Sequence, residues 1–166
     1  MSITSVRPVN ERIAQVLFDR LHLLVTGIKP ATPIREVIRP KRLNDFTPQH
    51  LQIVMTTDEV TANDDLSHAG NPPAIAYDMT VNVHCHLLPS ELDVTPIDEY
   101  INTAAADVAE SITDAGIDWF NFGGLAIDAQ IDPYERIDAG GGIDGFTLPV
   151  QVTYRVSENS HYEVRA

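Results

Sequence analysis

The chain has 166 residues, of which 43% are hydrophobic, and a formal net charge of −13. This length and composition predict one soluble globular domain over residues 1–166, because a chain of this size can bury a core without disulfides or structural metals. No apolar run approaches the roughly 20 residues that a membrane-spanning helix requires. The acidity also argues against a protein that wraps nucleic acid, since such binding depends on many cations that neutralise phosphates.

The charge is unevenly distributed along the chain. Residues 1–45 contain eight lysines and arginines and four acidic residues. Residues 46–166 contain three lysines and arginines and twenty acidic residues. One interpretation is two surfaces of opposite sign, as head-to-tail association of identical subunits would use. The other is an acidic protein whose N-terminal helix happens to be basic. Both interpretations stay open at this point.

A first helix is predicted over about residues 7–25, within an N-terminal helical segment of residues 1–28. Apolar residues recur there at spacings of three and four, namely Ile13, Val16, Leu17, Leu21, Leu24 and Val25. Ser5 is the expected N-cap, and Gly27 and Pro30 end the helix. Residues 29–48 then form a basic segment with prolines at 30, 33 and 40. These prolines favour an extended arm or an edge strand that packs on a neighbouring subunit.

The region of residues 49–157 is predicted to contain the sheet. Alternation of Leu51, Ile53 and Met55 indicates a short strand over 49–57, and residues 58–73 are polar and acidic, as in a functional or disordered loop. The longest signal is the strict alternation over 75–87, which is typical of a strand that buries one face and exposes the other. We expect its odd-numbered residues, including Cys85, to be buried.

A second helix is predicted over 96–115, with Thr95 as N-cap, Pro96 as first residue and Gly116 after its end. Residues 117–124 hold the only tryptophan and are interpreted either as a contact surface or as a hydrophobic plug. Strands are predicted over 125–131 and 147–157, separated by a hairpin tip around three consecutive glycines, and residues 158–166 are expected to form a tail. The fold class is therefore α+β, with one antiparallel-rich mixed sheet of about four strands and two main helices on one face.

Few residues suggest chemistry. His84 and His86 are two apart on the polar face of one strand, a spacing that can chelate zinc or copper, but a site needs further ligands. We expect exposed strand histidines and no metal. The single cysteine, Cys85, is expected to be a packed free thiol. No nucleophile motif is present and no carboxylate pair stands out, so we predict neither an enzyme nor a bound cofactor.

The C-terminal third resembles the tail terminator, or tail-tube capping, proteins of long-tailed bacteriophages. Their last strand typically alternates apolar residues up to a Tyr-Arg pair, followed by a polar segment and an aromatic. The matching residues here are Leu148, Val150, Val152, Tyr154, Arg155 and Tyr162. The layout of helix, long strand, helix and two strands is similar over most of the chain, and the residue-level similarity covers about 125–162. The basic arm and residues 58–73 have no counterpart in this resemblance.

The resemblance implies a virion protein that assembles in the host cytoplasm. Such subunits close into a homohexameric ring that ends tail-tube polymerisation and joins the tail to the head-side connector, while DNA passes through the lumen without specific binding. Candidate interface residues are Arg35, Arg39, Lys41, Arg42, Asp58, Glu59, Asp64, Asp65, Trp119, Phe120, Asp138, Asp144 and Arg155. The alternatives are another neck or tail-completion protein and a metal-binding enzyme that uses His84 and His86.

Overall fold

The computed structural model describes residues 7–25, 34–40, 51–87, 96–138 and 144–165. Two α-helices, α1 (Val9–His22) and α2 (Ile97–Thr113), accompany a short 3₁₀ turn at Trp119–Asn121. The strands are β1 (Glu36–Ile38), β2 (Gln52–Thr57), β3 (Thr61–His68), β4 (Ala74–His86), β5 (Asp128–Ile131), β6 (Glu135–Asp138), β7 (Asp144–Ser157) and β8 (Ser160–Val164). The chain is α+β, as predicted.

One mixed sheet is built around the antiparallel pair of β4 and β7. All 13 residues of β4 are paired with β7, from Ala74 opposite Ser157 to His86 opposite Gly145. The other edge of β4 pairs with β2 and β3 in succession, and the other edge of β7 pairs with β6, β5 and β8. Strand β1 extends the sheet beyond β2 and forms the parallel pair.

The sheet is larger than the predicted four strands, because eight segments take part in it. Residues 58–73, predicted as a loop, contain β3, and the predicted C-terminal tail contains β8. Both segments are largely exposed, so apolar and polar residues do not alternate along them. They are strands because the long edges of β4 and β7 offer backbone donors and acceptors that a neighbouring chain can satisfy.

Both helices cover one face of this sheet. Their apolar stripes pack on Met79, Val81, Val83 and Cys85 of β4 and on the even-numbered residues of β7. The stripe predicted for α2 is confirmed, with Ile101, Ala104, Val108 and Ile112 buried and Ile97 partly buried. Cys85 is completely buried, as predicted, and burial raises the pKa of its thiol.

The segment after α2 is anchored by Arg20. Its guanidinium donates hydrogen bonds to the carbonyls of Ile112 and Trp119, at 3.2 and 2.8 Å, and lies 4.7 Å from the centre of the Phe122 ring. Phe122 is fully buried, whereas Trp119 and Phe120 are half-buried. The structure thus places Phe122 of this segment in the core as a hydrophobic plug.

The helix ends differ in detail from the prediction. Pro8 and Pro96 are the N-cap residues, so Pro96 precedes α2 instead of being its first residue. Gly116 has a positive φ of 96°, which supports its predicted role in ending α2. Ser5, Gly27, Pro30, Thr95 and the three consecutive glycines lie outside the described residues, as does most of the basic arm; its described part contributes the edge strand β1.

Candidate functional site: the polar face of the sheet

The face of the sheet opposite the helices carries the even-numbered residues of β4 and the odd-numbered residues of β7. We call it the polar face. Its central positions are half-buried by their neighbours in the sheet, and they are occupied by Asp78, Thr80, Asn82, His84, Thr147, Gln151 and Thr153. Side chains at paired positions of adjacent strands are close enough to hydrogen bond across the strands. This face therefore brings polar side chains from several strands into contact.

His84 links three strands across the polar face. Its Nε2 is 3.2 Å from the hydroxyl of Thr56 on β2, and its Nδ1 is 2.8 Å from the hydroxyl of Thr147 on β7. A neutral imidazole has one donor and one acceptor, and a hydroxyl can complement either. Burial lowers the pKa of His84, an effect that Asp58 partly opposes. The ring is therefore held between two threonines, and its burial favours the neutral form.

The prediction that both histidines are exposed was wrong. His84 is half-buried and His86 is only 4% exposed, because β4 lies in the middle of the sheet with partners on both sides. Burial, followed by the nearby His84, lowers the pKa of His86. Within the described ranges, no group of three or more His, Cys, Asp or Glu is arranged to hold a metal ion.

A second network occupies the other half of the polar face. Asp78 accepts hydrogen bonds from Thr153 Oγ1 at 2.6 Å and from Asn63 Nδ2 at 2.9 Å. Gln151 accepts from the Thr80 hydroxyl and donates to Asp132, at 2.9 and 3.0 Å. A shallow hollow of about 270 Å³ lies beside these residues, lined also by Asp128 and Gln130. Its polar groups are largely committed to bonds within the sheet.

The polar face is strongly acidic. Register and hydrogen bonds assign six carboxylates to it, on Glu36, Asp58, Asp78, Asp128, Asp132 and Glu135. Two arginines stand opposite each other at one end of this face, Arg155 on β7 and Arg165 just after β8, and their side chains donate to the carbonyls of Leu66 and Pro72 at 2.7 and 3.1 Å. The negative potential of such a face repels other anions, including phosphates.

The predicted interface residues do not form one patch. Asp58 and Arg155 lie on the polar face, whereas Glu59, Asp64 and Asp65 are exposed on or beside β3 at one edge of the sheet. Trp119 and Phe120 lie in the 3₁₀ turn that follows α2, next to Phe122 in the chain. Asp138 ends β6 and Asp144 begins β7.

The two described basic residues of the predicted interface at this end of the chain, Arg35 and Arg39, lie at the opposite edge from β5 and β6. Arg35 is exposed beside β1. Arg39 is partly engaged within the subunit, because its guanidinium bonds both carboxylate oxygens of Glu11 at 3.2 Å. Lys41 and Arg42 lie outside the described residues.

The polar-face network has no signature in the sequence. Thr56, Thr147 and Gln151 belong to no motif, although each stands opposite a polar residue of β4. Alternation within each strand did indicate a polar face. The register that brings particular side chains together depends on which strands pair, and that pairing leaves no local signal in the sequence.

Comparison with known proteins adds no identification. No protein-family model matches the sequence, and no curated protein matches it significantly. Neither of the described helices combines the length and the apolar character needed to cross a membrane. The function therefore has to be argued from the surfaces of the fold.

Proposed function

We infer that the chain is a structural subunit of a bacteriophage tail, a tail terminator that forms a ring on the end of the tail tube. The observation that carries this proposal is the acidic polar face, with six carboxylates against Arg155 and Arg165 among its described residues. A channel through which DNA slides must not bind phosphate, and a carboxylate-rich surface meets that requirement. In this proposal the polar face lines the lumen.

The internal hydrogen bonds of this face also suit a lining better than a reaction site. Asp78 and Gln151 each bond two partners within the sheet, and His84 is held between two hydroxyls. Groups held in this way are rigid and have little capacity left for a ligand. The resemblance of residues 125–162 to tail terminators supports the same proposal independently of the charge.

The proposal is tested by the mass of the purified protein across a concentration series, followed by negative-stain images with and without purified tail tubes. We expect closed rings, or a monomer that becomes a ring at the end of a tube. A protein that remains monomeric and ignores the tubes would contradict the proposal. Rings that bind only the head-side connector would favour another neck protein instead.

A further inference from the structure

We propose that the two outer edges of the sheet form the subunit interface, with the β1 edge of one copy docking on the β5 and β6 edge of a second copy. This inference rests on the proposed ring and specifies which surfaces meet in it. The basic edge is defined as residues 35–40, and the acidic edge as residues 128–138.

Both edges end the sheet. Among the described strands, β1 pairs only with β2, while β5 and β6 pair only with β7. The Arg35 N–H donates to the carbonyl of Leu51 on the inner side at 2.8 Å, so the backbone groups of Glu36 and Ile38 point outward by alternation. Outward N–H and C=O groups of an edge strand are a template for pairing with another chain.

The two edges differ in charge. The basic edge contains Arg35 and Arg39 against the acid Glu36, and Arg39 is paired with Glu11 of α1, so the exposed Arg35 is its available cation among the described residues. The acidic edge contains Asp128, Asp132, Glu135 and Asp138 against the single cation Arg136. Two acidic edges repel each other, whereas the acidic edge attracts the exposed Arg35 of a second copy. The contact is therefore heterologous, the kind that propagates head to tail and gives a ring when the rotation between successive copies closes.

The strand directions at the two edges also suit this contact. β1 is parallel to β2, and each of the pairs β2–β4, β4–β7, β7–β5 and β7–β6 is antiparallel. β1 consequently runs opposite to β5 and β6. When a second copy is placed beside the first in the same orientation, β1 meets β5 and β6 as an antiparallel pair, the more stable type of pairing.

A groove lies beside the acidic edge, on the helix side of the sheet. It measures about 430 Å³ and is lined by Ala105, Ala106 and Ala109 of α2 and by Ile131, Pro133 and Tyr134. Arg35 lies on the same side of the sheet as the buried Val37, because residues two apart in a strand point to the same face. Its aliphatic portion can cover the alanines while the guanidinium reaches the Tyr134 ring and solvent.

The test uses cysteine pairs on the polar-face side of the two edges. Cys85 is the only cysteine and is fully buried, so the background reaction is low. The double variants are Glu36→Cys with Gln130→Cys, and Glu36→Cys with Glu135→Cys; the three single variants are the controls. Each full-length protein is treated with a short bismaleimide and analysed by denaturing electrophoresis, because a flexible linker tolerates the spacing of about 7 Å between successive same-face residues.

We expect at least one double variant to give a ladder of covalent dimers, trimers and larger species, and the single variants to stay monomeric. Two results would overturn the inference: double variants that cross-link no further than the single ones, or dimers of the Glu36→Cys single variant, which would mean that two basic edges meet. Arg35→Glu should also raise the concentration for half-assembly by about tenfold or more, whereas Arg12→Glu, on the exposed side of α1, should leave it unchanged.

These outcomes separate the interface from the function. Rings observed by mass without a cross-linked ladder would refute the edge-to-edge interface and leave the ring intact. A ladder from a protein that does not cap tail tubes would support the interface and refute the terminator role.

Discussion

Substitution of Gly145 by alanine tests the closest approach in the fold. A Cβ built on Gly145 would lie 2.0 Å from the carbonyl oxygen of Cys85 and 3.1 Å from its carbonyl carbon. Both atoms belong to the backbone of the neighbouring central strand, and neither can rotate away. Strands β4 and β7 would have to move apart by about 1 Å at this point, because a Cβ essentially never lies closer than 3.0 Å to such an atom. A shift of that size takes a backbone hydrogen bond beyond its usual N···O limit of about 3.2 Å.

The cost follows from the contacts nearby. The hydrogen bond from Leu87 N–H to the carbonyl of Asp144, at 2.8 Å, and at least one adjacent ladder bond would be lost or stretched, at about 1 kcal/mol each. Forcing a methyl group into a packed region, next to the fully buried Phe146, costs about 1–3 kcal/mol more. We therefore expect Gly145→Ala to lower the free energy of unfolding by about 3 kcal/mol, a large share of the stability of a small domain.

The measurement is urea denaturation followed by circular dichroism and by fluorescence of Trp119. Gly116→Ala is the matched control, because Gly116 has a φ of 96° and no atom within 4 Å of a built Cβ. That control should show only the backbone cost of about 1–2 kcal/mol. If Gly145→Ala costs no more than Gly116→Ala, the close approach of β4 and β7 is not present and the reasoning fails.

Three further predictions concern named contacts. Burial lowers the pKa of His84 below the value of about 6.5 for an unfolded chain. The unfolded state therefore binds more protons, so the contribution of His84 to stability is complete above that pH and declines as the pH falls through it. His84→Gln should lessen the loss of stability between pH 7 and 5, and an unchanged pH profile in thermal unfolding would contradict this. Arg20→Met should cost about 2–3 kcal/mol, because two carbonyls lose a charged donor, while Arg12→Met should be near neutral in the same urea titrations. Arg39→Ala should lower the free energy of unfolding by less than about 1 kcal/mol, since the ion pair between Arg39 and Glu11 is partly exposed to solvent. A double-mutant cycle with Glu11→Ala would reveal a larger coupling.

The long elements could be predicted because their sequences alternate or repeat. Burial of Met79, Val81, Val83 and Cys85 followed directly from period-two alternation, and the stripe of α2 followed from helical spacing. The segment Thr61–His68 could not be predicted as a strand, because nearly all its side chains are exposed and no hydrophobic pattern marks it. Its conformation depends on the edge of β4, with which it pairs.

The sequence by itself determined the α+β class, the two helices, the central strand and the separation of charge between the two parts of the chain, since these depend on composition and local periodicity. Tertiary structure decided that β1 and the pair β5 and β6 lie at opposite edges, and that His84 lies between Thr56 and Thr147. It also gathered six carboxylates on one face. The physical reason is that strand order and register arise from backbone hydrogen bonds between residues far apart in the chain, which no local pattern encodes.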